Sequence, residues 1–449
     1  MSEKKYKILV ISSYPPSRSA GLVQDNITAL EEDGHIVDYF TMYSFPGQKS
    51  NQYSICNEPV FDKLKRLMQK YPILKKFKKT VRFFLKSPEE KTMTNIDIDG
   101  YRIPHLDENK PIVDNDTLLK KLPNKSYDFA IVYILERMIT TVSLKQIYKK
   151  YRCPILIACM DNVHFTGGCY FFGKCERYQI GCGKCPVLKS EDENDQTHVN
   201  YLTKKKVFSE IEYAIMCNQY QKQFALKCNL FDPMRIFTKH ILIDENVFVP
   251  KDETEVRIYF KIPETKKKVI YARYEKGMGR AKGYDHMANI INLCYDKMMP
   301  SERDESIFVM VGSPDEQYAR QIKMDTFFLG YLDLPKLVKS YSVASVFIST
   351  SIDDAGPSMV NQSMMCGTPV VTFSIGTALQ VTQEGVNGYM VENFNDEMFA
   401  DRILQINRLS NKDHSAMKDS TRASALLMNS RKANAQRLIE IYREVLKMQ

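Results

Sequence analysis

The chain has 449 residues, 44% of them hydrophobic and 11% aromatic, which is enough to bury sizeable cores in two or three domains. Its 63 basic and 54 acidic residues leave a net charge of +9. That modest excess suits a polyanion, an anionic membrane surface or a phosphorylated substrate without choosing among them. The apolar run Ile8–Ile11 is too short for a signal-peptide core, and "FAIVYIL" at Phe129–Leu135 is far too short to span a membrane. A cytoplasmic protein is therefore expected. The 11 cysteines, an odd number without a secretion signal, favour reduced thiols or a metal site over a disulfide framework.

In chain order, Lys7–Ser12 reads as a short buried strand. A turn-rich loop with Gly21 follows, then a helical pattern through Leu30 that Gly34 stops, then a strand over Ile36–Phe40. This strand–loop–helix–strand unit opens a doubly wound sheet. Further strands are predicted at Phe129–Ile134, Pro154–Cys159 and Tyr213–Cys217, so a first domain is expected over residues 1–247. The stretch "IDENVFVPKDETEVRIYFKIPETKKKVIYAR", broken by Pro250 and Pro263, reads as a linker and a restart. Strands then recur at Val269–Ala272, Ile307–Val311, Ser345–Ser349 and Pro369–Phe373, giving a second α/β domain over 248–430. Residues 431–449 carry apolar residues at helical spacing and form a terminal helix, expected to pack back on the first domain.

Four motifs of the second half occur together. They are "YARYEKGMGRAKGYDHM" at Tyr271–Met287, "GYL" at Gly330–Leu332, "DDAGPSMVNQSMMCGTPVV" at Asp353–Val371, and "SIGTALQVTQEGVNGYMV" at Ser374–Val391. Their order resembles that of family-4 glycosyltransferases, retaining enzymes of the GT-B fold that use nucleotide sugars. "IDENVFVP" is similar to the family's interdomain signature, and "GLVQDNITALEEDGHIV" to its acceptor-domain start. The resemblance implies two Rossmann-like doubly wound domains facing across a cleft. It implies transfer of a sugar, from a UDP-sugar before a GDP-sugar, to a glycan or polyprenyl-linked acceptor.

On the residues themselves, Arg273 and Lys282 are fixed cations beside glycines, suited to the charge that develops on a departing diphosphate without a metal. Arg280 is a credible substitute for Arg273. The alternative is that these are solvated surface charges. The family pairs two glutamates with seven residues between them, the first on a sugar hydroxyl and the second on the ribose. Counting back from Cys366, those positions here hold Asp354 and Gln362, with Asp353 able to replace Asp354. Gln keeps an acceptor oxygen and loses the charge. Gly356, Ser358, Gly376 and Thr377 are expected beside the donor, the last two offering N–H groups at a helix start. As a bare turn and cap they have an equally good explanation. The resemblance places Gly21 near the donor phosphates and Asp161, Asn162 and His164 on the acceptor side. Gln362 also feeds a rival reading: a non-catalytic scaffold subunit of a glycan-assembly complex.

Two features stand apart. "CYFFGKCERYQIGCGKC" spaces Cys169, Cys175, Cys182 and Cys185 as C-x5-C-x6-C-x2-C. Four thiols with glycines at the knuckle suit a structural Zn²⁺, free thiols and two disulfides being the alternatives. A similar cluster is known in a subset of bacterial polysaccharide glycosyltransferases. The segment 61–87 holds ten Lys or Arg against one Asp, with apolar residues at helical spacing and a break at Pro72. It reads as a peripheral anchor on an anionic membrane, or as a solvated helix with its apolar side in the core. A zinc-bearing nucleic-acid binder is a third reading that rests only on charge and cysteines, and no base-stacking or fold motif supports it.

Overall fold

Short apolar runs flanked by turn residues form two parallel sheets, because a strand buried on both faces needs apolar side chains on both. The computed structural model describes residues 4–14, 22–57, 96–98, 101–103, 107–133, 138–277 and 279–448. Gly21 and the basic segment 61–87 lie outside the described residues, as does the side chain of Arg280. The chain divides into two units. One comprises Met1–Cys217, Lys222–Thr238 and Ala435–Gln449, the other Asn218–Gln221 and Lys239–Asn434.

In the first unit the strands are β1 (Lys7–Ser12), β2 (Ile36–Tyr43), β3 (Gln52–Cys56), β6 (Phe129–Val132), β7 (Ile155–Ala158), β8 (Tyr213–Cys217) and β9 (Ile236–Thr238). They pair in the order β3-β2-β1-β6-β7-β8-β9, and every pairing is parallel. A small antiparallel hairpin, β4 (Ile96–Ile98) with β5 (Tyr101–Ile103), stands apart. The helix Leu22–Glu32 connects β1 to β2 and ends before Gly34, whose φ is 86°. The core is formed by strand side chains such as Leu9, Ile11, Phe40, Val132, Ile155 and Ile215.

The second unit holds β10 (Lys268–Tyr274), β11 (Ser306–Gly312), β12 (Thr326–Gly330), β13 (Val346–Ser349), β14 (Val370–Phe373) and β15 (Gly388–Val391). Their order, β12-β11-β10-β13-β14-β15, is that of a doubly wound dinucleotide-type sheet, all parallel. The winding reverses between β10 and β13. Ligands of such sheets bind outside the carboxyl ends of the strands at that point.

The stretch expected to be a linker contains a helix, Glu253–Phe260. Its N-cap Asp252 accepts from the Glu255 N–H at 2.9 Å, and Lys261 closes it in a left-handed conformation. Val256 and Phe260 are buried on one side, which overrides the charge-rich composition of the segment.

Within the first unit, Tyr442 of the helix Arg431–Leu446 stacks on Phe129 of β6 with ring centroids 4.4 Å apart. It meets Tyr6 edge-on at 5.2 Å. All three rings are buried. Tyr442→Ala should destabilise the protein by about 3 kcal/mol, the scale of an aromatic cavity, read as a lower midpoint in denaturant unfolding. Tyr442→Phe should keep most of that stability.

Candidate functional site

Arg273 is the penultimate residue of β10, and the short helix Gly279–Lys282 follows the glycine-rich turn after it. The loop after β13 is tied to that helix by backbone hydrogen bonds. Ile352 and Asp353 donate to the Ala281 carbonyl at 2.9 and 3.2 Å. The Thr350 hydroxyl donates to the Lys282 carbonyl at 3.0 Å. Gly283 makes this approach feasible: its φ is 61°, and a Cβ there would stand 2.1 Å from the Thr350 carbonyl oxygen. Lys282 is thereby brought against Asp354, and the two form an ion pair. The other oxygen of Asp354 accepts from the Gly356 N–H at 3.0 Å.

These elements enclose a cavity of about 140 Å³ at the carboxyl ends of β10 and β13. Arg273, Lys282, Asp354, Gly356 and Ser358 all line it. The helix Ser358–Met365 begins at its wall, with Pro357 as a cap that offers no side-chain hydrogen bond. Unpaired N–H groups and the positive end of that helix's dipole therefore meet two cations, an arrangement that attracts anions. Half-exposed Arg273 faces Glu275 at 3.4 Å. Glu275 also accepts from the Tyr331 hydroxyl at 2.6 Å and from Ser313 at 3.3 Å. The Tyr331 hydrogen bond, foremost, holds the Glu275 carboxyl below its ordinary value.

The remaining predicted donor residues stand further back. The Asp353 N–H is spent on Ala281. Gln362 lies in the second turn of its helix, half-buried, and its Oε1 accepts from the Tyr341 hydroxyl at 2.7 Å. Gly376 packs on the Gly356 backbone. Thr377 is buried and its hydroxyl accepts from Asn361 at 3.2 Å, in a structural contact. Glu275, Ser313, Tyr331 and Tyr341 were not singled out from sequence. The signals available were the position of Glu275 two residues after Arg273 and of Tyr331 inside "GYL".

In the first unit, Asp161, Asn162 and His164 follow the carboxyl end of β7. Asp161 accepts from the Val163 N–H at 2.8 Å, while Asn162 and His164 are buried. Below them, Lys204 is buried with its ammonium donating to the Val163 and Thr166 carbonyls at 2.7 and 2.9 Å. It also faces Glu108 at 3.2 Å. A charge taken from water needs such partners.

Cys169, Cys175, Cys182 and Cys185 line one small apolar cavity of about 20 Å³ with Phe172 and Tyr178. The knuckle between the last two is held by Asp195, which accepts from the Cys185 N–H at 2.7 Å, and by the Gly167 N–H on the Cys182 sulfur at 3.2 Å. Among the described residues, no group of three or more His, Cys, Asp or Glu side chains stands placed to hold a metal ion. No helix among them is long and apolar enough to cross a membrane.

Burial, and then the Lys204 charge, push the His164 imidazole down to about 4 from an ordinary 6.5. Burial alone would raise the Glu108 carboxyl, but Lys204 and the Thr141 N–H outweigh it and hold the carboxyl low. Between those two imidazole values the unfolded chain takes up a proton that the folded chain refuses. Stability is then lost as pH falls from about 6.5 to about 4. The Glu108 contribution disappears in the same direction. Thermal unfolding should therefore show a falling Tm across that window, and His164→Asn should flatten the slope.

Residues 252–423 match the description of glycosyl transferases group 1. An uncharacterized glycosyltransferase of Methanocaldococcus jannaschii is 26% identical over 186 residues, 33% of this chain. The chain spans about half of that relative, 48% of its length. Among solved structures, sucrose-phosphate synthase from Thermosynechococcus elongatus superimposes with a TM-score of 0.59 at 14% identity, covering 99% of this chain and 100% of that one. Anabaena HepE, solved with UDP and glucose, gives 0.53 at 13% identity over 99% and 100% of the two chains. A variant of S. aureus TarM, solved with fondaparinux, a GlcNAc-glycerol and UDP, gives 0.55 at 14% identity over 97% and 99%. With two parallel α/β sheets and a cation-lined cavity inside the matched region, the chain has the GT-B fold, and its residues 252–423 are similar to the group 1 glycosyltransferases.

Proposed function

We propose that the protein transfers a sugar, with retention, from a nucleoside-diphosphate sugar to a glycan or lipid-linked glycan acceptor, UDP being the favoured nucleotide and GDP the next. The observation that carries this reading is the convergence of Arg273, Lys282, Asp354 and a helix N-terminus on one cavity at the winding reversal. During transfer the bond from the anomeric carbon to the diphosphate oxygen breaks and the diphosphate keeps the electron pair, while an acceptor hydroxyl oxygen bonds to that carbon on the same face and its proton passes to the diphosphate. Arg273, Lys282 and the N–H groups at Ser358 meet the charge that develops there. Asp354, its second oxygen fixed by the Gly356 N–H, accepts from sugar hydroxyls. Each cation is paired with a carboxylate, Arg273 with Glu275 and Lys282 with Asp354. The diphosphate competes for those cations, so the pairs hold the side chains in place for it. The rival reading, a non-catalytic binding member, draws on the amide at Gln362.

Arg273→Ala and Lys282→Ala should each lower transfer by about 100-fold or more, because a charge-assisted contact strengthens as the leaving group becomes charged. Donor turnover by the purified protein checks this. Wild-type rates in both variants would refute the assignment. Binding of UDP without any turnover of a panel of UDP- and GDP-sugars would favour the scaffold.

A structural Zn²⁺ at Cys169, Cys175, Cys182 and Cys185 of the first unit is proposed as well. Its support is a donor set of four thiols sharing one apolar cavity at a C-x2-C knuckle. With all positions filled by sulfur such an ion would brace the loop and take no part in transfer. Metal analysis of the purified protein should find about one zinc per chain, and Cys169→Ser should lower Tm more than it alters donor affinity. Metal-free protein with all four thiols reactive would end the proposal.

A further inference from the structure

Resting on the donor-site reading above, the geometry points to Tyr341 as a positioning residue that turns the Gln362 amide so that its N–H₂ group faces the nucleotide ribose. Gln362 sits on the helix whose first turn lines the cavity. Its Oε1 accepts from the Tyr341 hydroxyl at 2.7 Å. Its Nε2 has no hydrogen-bond partner among the described residues and is not among their buried unpaired atoms. An amide has one acceptor end and one donor end. With the oxygen committed, the donor end is the one left to offer.

Tyr341 is well fixed for this work. It closes the helix Leu334–Tyr341 and is fully buried. Its ring packs against those of Tyr271 and Phe347 in a three-ring cluster, with centroids 5.8 and 6.1 Å away. Its carbonyl accepts from the Thr368 hydroxyl at 2.8 Å. A phenol has one proton to give, and here Gln362 receives it. Phe347 packs on this ring and also lines the cavity. The hydroxyl is therefore close to the donor site while remaining out of contact with solvent. A carboxylate at residue 362 would need no such orientation, since both of its oxygens accept. An amide does, because turning it over exchanges a donor for an acceptor. The demand placed on the nucleotide also changes: a ribose hydroxyl accepts at this position.

The test is a titration of UDP, and of GDP in parallel, against the full chain. Tyr341→Phe should weaken binding by about three- to tenfold, the scale of one neutral hydrogen bond. In a Gln362→Ala background the same substitution should add nothing. Gln362→Glu should restore affinity to Tyr341→Phe, since a carboxylate presents the same atoms whichever way it turns. No such rescue is expected if Tyr341 merely holds the fold. Independent, multiplying losses from the two sites, or full affinity in Tyr341→Phe, would overturn the inference alone. Wild-type affinity in both Arg273→Ala and Lys282→Ala would overturn the donor site itself, and the inference with it. If Tyr341→Phe does not fold, a crystal structure of the unaltered protein with UDP decides. A ribose hydroxyl within hydrogen-bond reach of Gln362 supports the inference, and one beyond that reach overturns it.

Discussion

The candidate site depends on the approach of the backbone at Gly283 to the backbone at Thr350. A Cβ at Gly283 would stand 2.1 Å from the Thr350 carbonyl oxygen, so the contact is open only to glycine. Three hydrogen bonds, from Ile352, Asp353 and the Thr350 hydroxyl, close the gap. They join the turn after β10 to the loop after β13, two strands that are neighbours only because the winding of the sheet reverses there. Lys282 and Asp354 are 72 residues apart in the chain and become a pair through this contact. The cavity, the cations and the start of the helix Ser358–Met365 all take their places from it.

Charge in the two units is handled in different ways. Arg273 and Lys282 keep partial contact with solvent and are paired with carboxylates that an incoming anion can displace. A partly hydrated cation of this kind keeps its attraction for a phosphate at modest desolvation cost. Lys204 in the first unit is sealed in, with two carbonyls and Glu108 around its ammonium and neutral His164 nearby. Such a group fixes the loop from Asp161 to the cysteine cluster, because breaking it would strand a buried charge. The first arrangement suits exchange with a ligand, and the second suits a permanent brace.

The central strands were legible in the sequence because they are buried on both faces and so read as apolar runs. Lys7–Ser12 and Tyr213–Cys217 match the observed strands residue for residue, and β10, β11, β13 and β14 lie within a residue or two of expectation. Within the two parallel sheets the strands that went unread, β3, β9, β12 and β15, are the four edges. An edge strand has one neighbour and partial exposure, as the half-buried run of β12 shows, so its composition carries a weak signal. The helix Glu253–Phe260 was hidden for a related reason: only two of its side chains are buried, among charges that look like a linker.

By itself the sequence determined the two α/β units, a motif order resembling that of the group 1 glycosyltransferases and the residue types of a cation-lined cavity, because strand burial and glycine-bounded turns are local properties of the chain. It pointed to Arg273, Lys282, Asp354, Gly356 and Ser358, and these five share one cavity. It could not say that the Gln362 oxygen is taken by the Tyr341 hydroxyl, that Glu275 holds Arg273, or that Thr377 is turned inward to Asn361. Those outcomes belong to the tertiary structure. Each is set by a hydrogen bond or ion pair whose geometry exists only after strands, turns and helices have packed, and an amide or a hydroxyl has no preferred partner until that packing supplies one.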